Sequence, residues 1–570
     1  MMLVLVCRPW QGGMSMTALS GMRASDISYV LPSGRLLLNS ISFAALPNEC
    51  MRVIGANGVG KSTLLKIMAR RIKSTSGSVN VFGDVSYMEQ RRTDPEIHTI
   101  GDYLFSVAQA GIARLRKRIA TMESTLDSAN TAQMESYSQL LADYADLGGY
   151  RMEAEMSKST QDVLGSSYQD VSDLELDCLP GGEQKMLLLN YLFSNSASNL
   201  ILDEPDNFLD IANKDRLKSY LGESTKTILL ISHDRDLMES TCKKRLVMEE
   251  RDDGTTAWVH GGRYSTLADA RAERHAREEE LPRRRDDEER ELRQLVASLR
   301  QAATISDVMA SRYHAAQTRL DRFLKTAPAR HRYVENTPVL RFDGGRSGNV
   351  VLRCDQFGFP GLIRPFDLEL RHRDRVAILG ANGTGKSHFL KYIAYRHTHE
   401  AAADFGGWPL TGVLRLGAGV KPGWFSQFDD IPGLGDGTLL EILMHRGEHG
   451  SALTIEQAMP LLDRYRLIQV ASHRYESISG GQRARFQLLL LELQQCNLLL
   501  LDEPTDNLDV ESAEALERLI QDFQGTVMAV THDRWFAKKF TSFLVFLDDH
   551  TVQQTESFDW DDNHLTLRKT

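Results

Sequence analysis

The chain is poor in cysteine and has no long hydrophobic run. Its six cysteines, Cys7, Cys50, Cys178, Cys242, Cys354 and Cys496, are scattered, with no CxxC pair and no Cys/His cluster at ligand spacing. That pattern argues against a disulfide framework, a structural zinc or an iron-sulfur cluster. Purely apolar stretches such as Leu498 to Leu501 fall far short of the ~18 residues that a membrane-spanning helix needs. Met1 to Cys7 are apolar but lack a basic flank, and they lead into Arg8, Pro9 and Trp10 rather than a small-residue cleavage site, which speaks against a signal peptide. Residues 1–23 read as an N-terminal extension, and Met14 and Met16 leave a later start open. A surplus of positive charge is also missing: the net charge is −10. Any polyanionic partner must therefore meet a local basic patch. What remains, 570 residues with 42% hydrophobic and 25% charged side chains, is a globular composition on a chain long enough for several domains.

An internal repeat organises the chain. Gly55-Ala56-Asn57-Gly58-Val59-Gly60-Lys61-Ser62, followed by Thr63, returns as Gly380-Ala381-Asn382-Gly383-Thr384-Gly385-Lys386-Ser387. Each copy is a GxxxxGKS loop between a hydrophobic strand and an apolar helix, where backbone N–H groups and a helix N-terminus can cradle phosphates. Downstream, the apolar runs at 199–202 and 498–501 end in Asp203-Glu204-Pro205 and Asp502-Glu503-Pro504. Each run delivers two carboxylates to the C-terminal edge of a buried strand, the first able to hold Mg²⁺ and the second able to orient water. His233 and His532 follow, each just after another apolar strand. Gly181-Gly182 and Gly480-Gly481-Gln482, the latter preceded by Ser479, open helical runs. The glycine pair, the carboxylate pair and the histidine all recur at an offset of 299 residues, whereas the phosphate loops are 325 apart. The first copy thus carries 26 extra residues (325 − 299) upstream of its glycine pair.

These motifs, in this order and twice over, resemble the ATP-binding cassette (ABC) superfamily. The resemblance implies two α/β P-loop nucleotide-binding domains in tandem, an ATPase activity, and ATP and Mg²⁺ as ligands. It implies that Lys61 and Lys386 pair with the β- and γ-phosphates, and that Ser62, Ser387, Asp203 and Asp502 surround the metal. Gln90 and Gln427 would lie near metal and water, Glu204 and Glu503 would activate the water, and His233 and His532 would contact the γ-phosphate. Tyr29 stands where the family stacks adenine in the first cassette; for the second, Phe357 and Phe359 compete, with a core position open for either. In the family each ATP lies between the Walker motifs of one cassette and the signature of the other. Pro180 replaces the signature serine, which removes a hydroxyl and an N–H. The site of Lys61, Glu204 and Ser479 is therefore expected to turn over faster than the site that pairs Pro180 with Lys386 and Glu503.

Between the cassettes, 24–260 and 338–570, lies a segment of another kind, 261–337. From Arg271 to Arg300, 18 of 30 residues are charged, and Leu292, Leu295, Val296 and Leu299 fall at helical spacing. A second stripe, Met309, Tyr313, Ala316, Leu320, Phe323 and Leu324, predicts an antiparallel helical hairpin, with Pro282 as a kink in the first helix. Residues 309–332 carry Arg312, Arg319, Arg322, Lys325, Arg330 and Arg332 against Asp321, a local balance of +5. Such a strip suits RNA phosphates; a solvated linker is the plain alternative.

Tandem cassettes, a charged helical linker and the opening Gly262-Arg263-Tyr264-Ser265-Thr266-Leu267 resemble the ABC-F family. That resemblance implies a cytoplasmic ATPase that binds the ribosome (rRNA and tRNA) at the tRNA exit site and modulates translation, with cassette closure controlling binding and release. A ribosome-protection protein conferring antibiotic resistance is the alternative. The fused ATPase subunit of an importer, with separate membrane partners, stands behind both. The tip near Ala302 to Val308 is short, which favours the translation role. The loops Asp206-Asn207-Phe208-Leu209-Asp210 and Thr505-Asp506-Asn507-Leu508-Asp509 depart from the family's usual DEPTNHLD.

Overall fold

A computed structural model describes residues 21–89, 97–107, 110–125, 131–207, 209–302, 307–325, 338–342, 345, 347–395, 409–426, 437–445, 453–506 and 508–557. The chain packs as two compact units. One comprises Met1–Ile27, Ser42–Arg52 and Ser62–Ser232; the other comprises Ser28–Ile41, Val53–Lys61 and His233–Thr570. The division runs through the first repeat, so its phosphate loop and its histidine belong to the second unit.

In the first unit the strands Val85–Met88, Asn199–Asp203 and Thr227–Ile231 run parallel in that order. The latter two are buried along their whole length, as expected of strands covered on both faces. The first strand among the described residues, Gly21–Val30, starts inside the expected extension. Met22 and Ala24 are buried, and the Gly21 N–H donates to Asn199 Oδ1 at 3.0 Å. The extra residues of the first repeat are accounted for by three helices, Ala110–Thr125, Thr131–Asp146 and Gly149–Leu164. In the corresponding described stretch the second repeat has Leu439–His445, which matches Ile100–Phe105 of the first, and Ile455–Arg464.

In the second unit a six-stranded sheet is ordered Pro422–Phe425, Leu498–Asp502, Thr526–Val530, Arg375–Gly380, Ser542–Phe546 and Val552–Thr555. All pairs are parallel except the last. Leu499 and Leu501 face one apolar core and Leu498 and Leu500 the other, the period-2 alternation of a strand buried on both sides. A three-stranded antiparallel sheet, Ile363–Arg371, Val350–Phe359 and Thr411–Leu416, closes over the second of these cores. Phe357 and Phe359 belong to that core, each 1% exposed.

The linker forms two helices, Leu267–Ala302 and Asp307–Lys325, packed on each other. The first is continuous through Pro282. Leu292, Ala316 and Leu320 are buried between polar faces, while Leu295 and Leu324 are 44% and 41% exposed. The expected stripes are therefore narrower than their spacing suggests, because a helix pair with few other neighbours covers only a seam. The hairpin base is held by charge: Arg271 bonds Glu249 at 3.2 Å and Glu511 at 2.5 Å, and His275 lies 3.3 Å from Glu249. Among the described residues no helix is long and apolar enough to cross a membrane. Among the described residues Cys178, Cys354 and Cys496 are free.

Leu320→Ala should loosen the hairpin alone. The expected cost is about 2–4 kcal/mol of local stability, read as faster amide exchange and proteolysis within 267–325 with the melting of the cassettes little changed.

Candidate nucleotide sites

Both phosphate loops are shaped by glycines at strand ends. Gly55 and Gly380 have φ of 155° and 147°, and a Cβ at either would collide with the carbonyl oxygen of Met248 or Phe546. Across each loop the lysine folds back. Lys61 Nζ donates to the Gly55 and Ala56 carbonyls at 2.7 and 3.2 Å, and Lys386 Nζ to those of Gly380 and Ala381 at 2.9 and 2.6 Å. The following serine opens the helix Lys61–Met68 or Lys386–Tyr395 and reaches the strand carboxylate: Ser62 Oγ donates to Asp203 Oδ1 at 3.2 Å, Ser387 Oγ to Asp502 Oδ1 at 2.9 Å. Gly58, Gly60, Thr63, Gly383 and Gly385 complete these turns and helix starts.

Burial pushes the Asp502 carboxyl up to about 6; Ser387 and Lys386 oppose the rise and Asp506 adds to it. A buried carboxylate beside a hydroxyl is an all-oxygen donor set of the kind Mg²⁺ takes, with phosphates and water filling the remaining positions. No cluster of three or more His, Cys, Asp or Glu able to hold a metal occurs among the described residues, so the protein alone supplies few ligands.

The glutamate after each aspartate has a left-handed backbone, φ 51° at Glu204 and 44° at Glu503. Such a conformation costs a non-glycine residue about 1–2 kcal/mol. It is held because each N–H donates to the end of the neighbouring strand, Ile231 or Val530, at 3.0 Å. The turn aims a nearly buried carboxylate off the sheet edge, which suits a group that orients or deprotonates water. In the second cassette the His532 N–H donates to Glu503 Oε2 at 3.0 Å, and His532 Nε2 lies 3.2 Å from Asn382 Oδ1. One structure thus joins phosphate loop, histidine and glutamate. His233 is half-buried after its own strand, and Tyr29 is half-buried near the end of the first strand.

The glycine pairs begin the helices Gly181–Ser194 and Gly480–Leu493. Ser479 caps the second through a reciprocal capping box with Gln482, whereas Pro180 offers the first no side-chain hydrogen bond. Gln90, Gln427 and the side chain of Lys325 lie outside the described residues. Phe357 and Phe359 pack with Tyr392 in the core, so the core position left open for them is the one observed.

Several participants escaped motif reading. Asp509 caps the helix Val510–Asp522 through Ser512 N–H with one oxygen and accepts the Asn57 N–H at 2.8 Å with the other. Burial works to raise its pKa, but Arg485, the Ser512 and Asn57 hydrogen bonds and Lys61 hold it below the ordinary carboxylate range. Arg235, two residues after His233, pairs with Glu517 of the same helix and lies 3.4 Å from Asp533. Lys185 Nζ donates to the carbonyls of Glu204 and Asn207, both at 2.8 Å. The Asn207 amide donates to Glu204 Oε2 at 2.6 Å. Asn207 could have been found from the repeat, where Asp506 stands opposite; Lys185 could not, because the 299 offset places Ala484 there.

The ABC transporter family model matches residues 38–207 and 363–506. An "Antibiotic resistance protein" of Mycobacteroides abscessus is 43% identical over 95% of this chain and 100% of its own length. The Bacillus subtilis protein YfmR, an uncharacterised ABC transporter ATP-binding protein, is 29% identical over 91% of this chain and 80% of its own. ABC transporter F family member 5 of Arabidopsis thaliana is 26% identical over 94% and 76%. The chain belongs to the ABC-F family of ATP-binding cassette proteins. As an ABC-F protein it is an ATPase that binds ATP through its two cassettes.

Two tests follow for this ABC-F ATPase. Asp509→Asn removes the charge facing buried Arg485 and is expected to cost about 3 kcal/mol near neutral pH. Because the folded pKa is depressed, this advantage of the wild type is present above the unfolded value of ~3.9 and is lost as pH falls through the folded one. Denaturant unfolding of both proteins across acidic pH checks it. Pro180→Ser restores a capping hydroxyl; the expected result is a rise in steady-state ATPase rate, and an unchanged rate counts against the asymmetry expected from Pro180.

Proposed function

We propose that this ABC-F ATPase binds the ribosome at the tRNA exit site and modulates translation, with ATP-driven closure of its cassettes controlling binding and release. The observation that carries this reading is the helix pair between the cassettes: Arg312, Arg319 and Arg322 are exposed on the second helix while Ala316 and Leu320 face its partner. A basic outer face in a chain of net charge −10 favours contact with RNA phosphates, through which counterion release drives binding. In this reading residues 24–260 and 338–570 are the ATPase domains, 261–337 is the arm that meets rRNA and tRNA, and the protein works in the cytoplasm.

Within each cassette, Lys61 or Lys386 and the loop N–H groups hold the phosphates. Ser62 with Asp203, or Ser387 with Asp502, would hold Mg²⁺, joined by Gln90 or Gln427, and the cation's charge would offset the negative charge of the phosphates. Glu204 and Glu503 orient the attacking water and receive its proton, and His233 and His532 contact the γ-phosphate. Gly181, Gly182, Ser479, Gly480, Gly481 and Gln482 supply signature contacts to nucleotide. Tyr29 stacks on adenine.

A second reading is favoured by one finding: the relative that matches 95% of the chain is named for antibiotic resistance. In that reading the arm acts on ribosomes carrying a drug.

The Glu204→Gln, Glu503→Gln double variant should retain ATP. In sucrose gradients of lysate it is expected to co-migrate with ribosomes only when ATP is present, and Arg312→Glu, Arg319→Glu, Arg322→Glu should weaken that co-migration. Sedimentation at the top with and without ATP would rule the ribosome out. A rise in the inhibitory concentration of ribosome-directed drugs on expression in a susceptible strain would select the second reading.

A further inference from the structure

Each histidine is followed by the same pair of residues, Asp234-Arg235 after His233 and Asp533-Arg534 after His532. Asp234 Oδ1 accepts the N–H groups of Asp236 and Leu237, and Asp533 Oδ1 those of Trp535 and Phe536. The caps fix the backbone just past each histidine and put each arginine at the first position of a short helix, Arg235–Ser240 or Arg534–Ala537. Arg235 then reaches out of its own cassette. Its guanidinium pairs with Glu517 on the helix Val510–Asp522, lies 3.4 Å from the second Asp533 oxygen, and sits 5.7 Å from the centre of the Trp535 ring. Arg534 returns the contact, 3.4 Å from Asp236 Oδ2. The two contacts differ in setting: Arg235 is 4% exposed, whereas the Asp236 side chain is 35% exposed. Separating a buried guanidinium from its carboxylates would leave charges unpaired and out of water, while an exposed pair exchanges its partner for water at little cost. The 299 offset places Lys218 where Glu517 stands, so the repeat supplies that carboxylate once.

We propose that Arg235 is a positioning residue that couples the two ATP sites, fastening the loop of His233 to the loop of His532 so that neither histidine settles on its γ-phosphate without the other. The links are contiguous. Two residues separate His233 from Arg235, the guanidinium spans Glu517 and Asp533, and Asp533 is the neighbour of His532. His532 in turn donates its N–H to Glu503 Oε2 at 3.0 Å and holds Nε2 3.2 Å from Asn382 Oδ1 in the phosphate loop. A displacement of one loop is thus carried to the other through packed, charged contacts. The inference rests on the assignment of both histidines to γ-phosphates and on nothing in the ribosome reading. It concerns where the histidines are placed and not the chemistry that follows at each, so unequal turnover at the two sites is compatible with it.

The test uses the purified full-length protein at saturating ATP. The steady-state rates of His233→Ala and His532→Ala are added and divided by the rate of their parent. Independent sites give a quotient of about one, because each variant keeps the other site's share; coupled sites give less. With the wild type as parent the expected quotient is about one fifth or lower. With Arg235→Ala as parent it should rise to about one. With Arg235→Lys, whose single ammonium cannot span two carboxylates as the guanidinium does, it should fall between. Loss of folded protein lowers the rates of a set together and leaves their quotient unmoved, so a purely structural role for Arg235 cannot imitate the rise. Arg235→Lys carries the test if Arg235→Ala yields no folded protein. The proposal is overturned by a wild-type quotient of about one, or by a quotient that stays as low when Arg235 is changed. A wild-type quotient of about two would mean that neither histidine serves turnover, which removes the γ-phosphate assignment and the proposal with it.

Discussion

Much of the functional architecture hangs on the carboxylate of Asp509. One oxygen starts the helix Val510–Asp522, the other receives the backbone N–H of Asn57 in a phosphate loop, and its charge is balanced by buried Arg485. That helix then presents Glu511 to Arg271 at the hairpin base and Glu517 to Arg235 beside His233. A rigid element of thirteen residues therefore touches a nucleotide loop, a switch loop and the root of the arm. A helix is stiff along its axis, so a shift at its capping end is felt at the other contacts rather than absorbed between them.

The same economy explains why duplication has not made the two nucleotide sites equivalent. Backbone geometry is shared: the strand ends, the collision-limited glycines and the strained glutamates match in both copies. Chemistry is adjusted by side chains that leave that geometry alone. Pro180 against Ser479, Asn207 against Asp506 and Lys185 against Ala484 change caps, donors and charge without moving a strand. Each exchange acts in a buried setting, where one hydrogen bond more or less carries greater weight than it would at the surface.

The α/β class, the doubled cassette and the Walker residues were legible because phosphate binding demands glycines and a lysine at fixed spacing, and because doubly covered strands read as continuous apolar runs. The hairpin was legible from its stripes, although Leu295 and Leu324 show that spacing alone overstates how much of a two-helix seam is covered. What escaped were contacts made by backbone atoms and by residues distant in sequence. Nothing in the sequence says that the Asn57 amide ends on Asp509, or that Lys185 reaches the carbonyls of Glu204 and Asn207. Nor does spacing decide between an adenine platform and a core aromatic; Phe357 and Phe359 were settled only by the central strand of the three-stranded sheet, which carries both into the core beneath it.

The unequal offsets also bear on how such a chain can change length. From the glycine pair to the histidine the copies keep a constant 299 spacing, whereas upstream the first copy is 26 residues longer and holds three helices of 16 residues. In the constant stretch every strand is buried on both faces and ends on a reacting group, so one inserted residue would turn a carboxylate toward the wrong side of the sheet. The upstream helices end on no such group. A change of length is thus borne by the region upstream of the glycine pair, where no strand register is at stake.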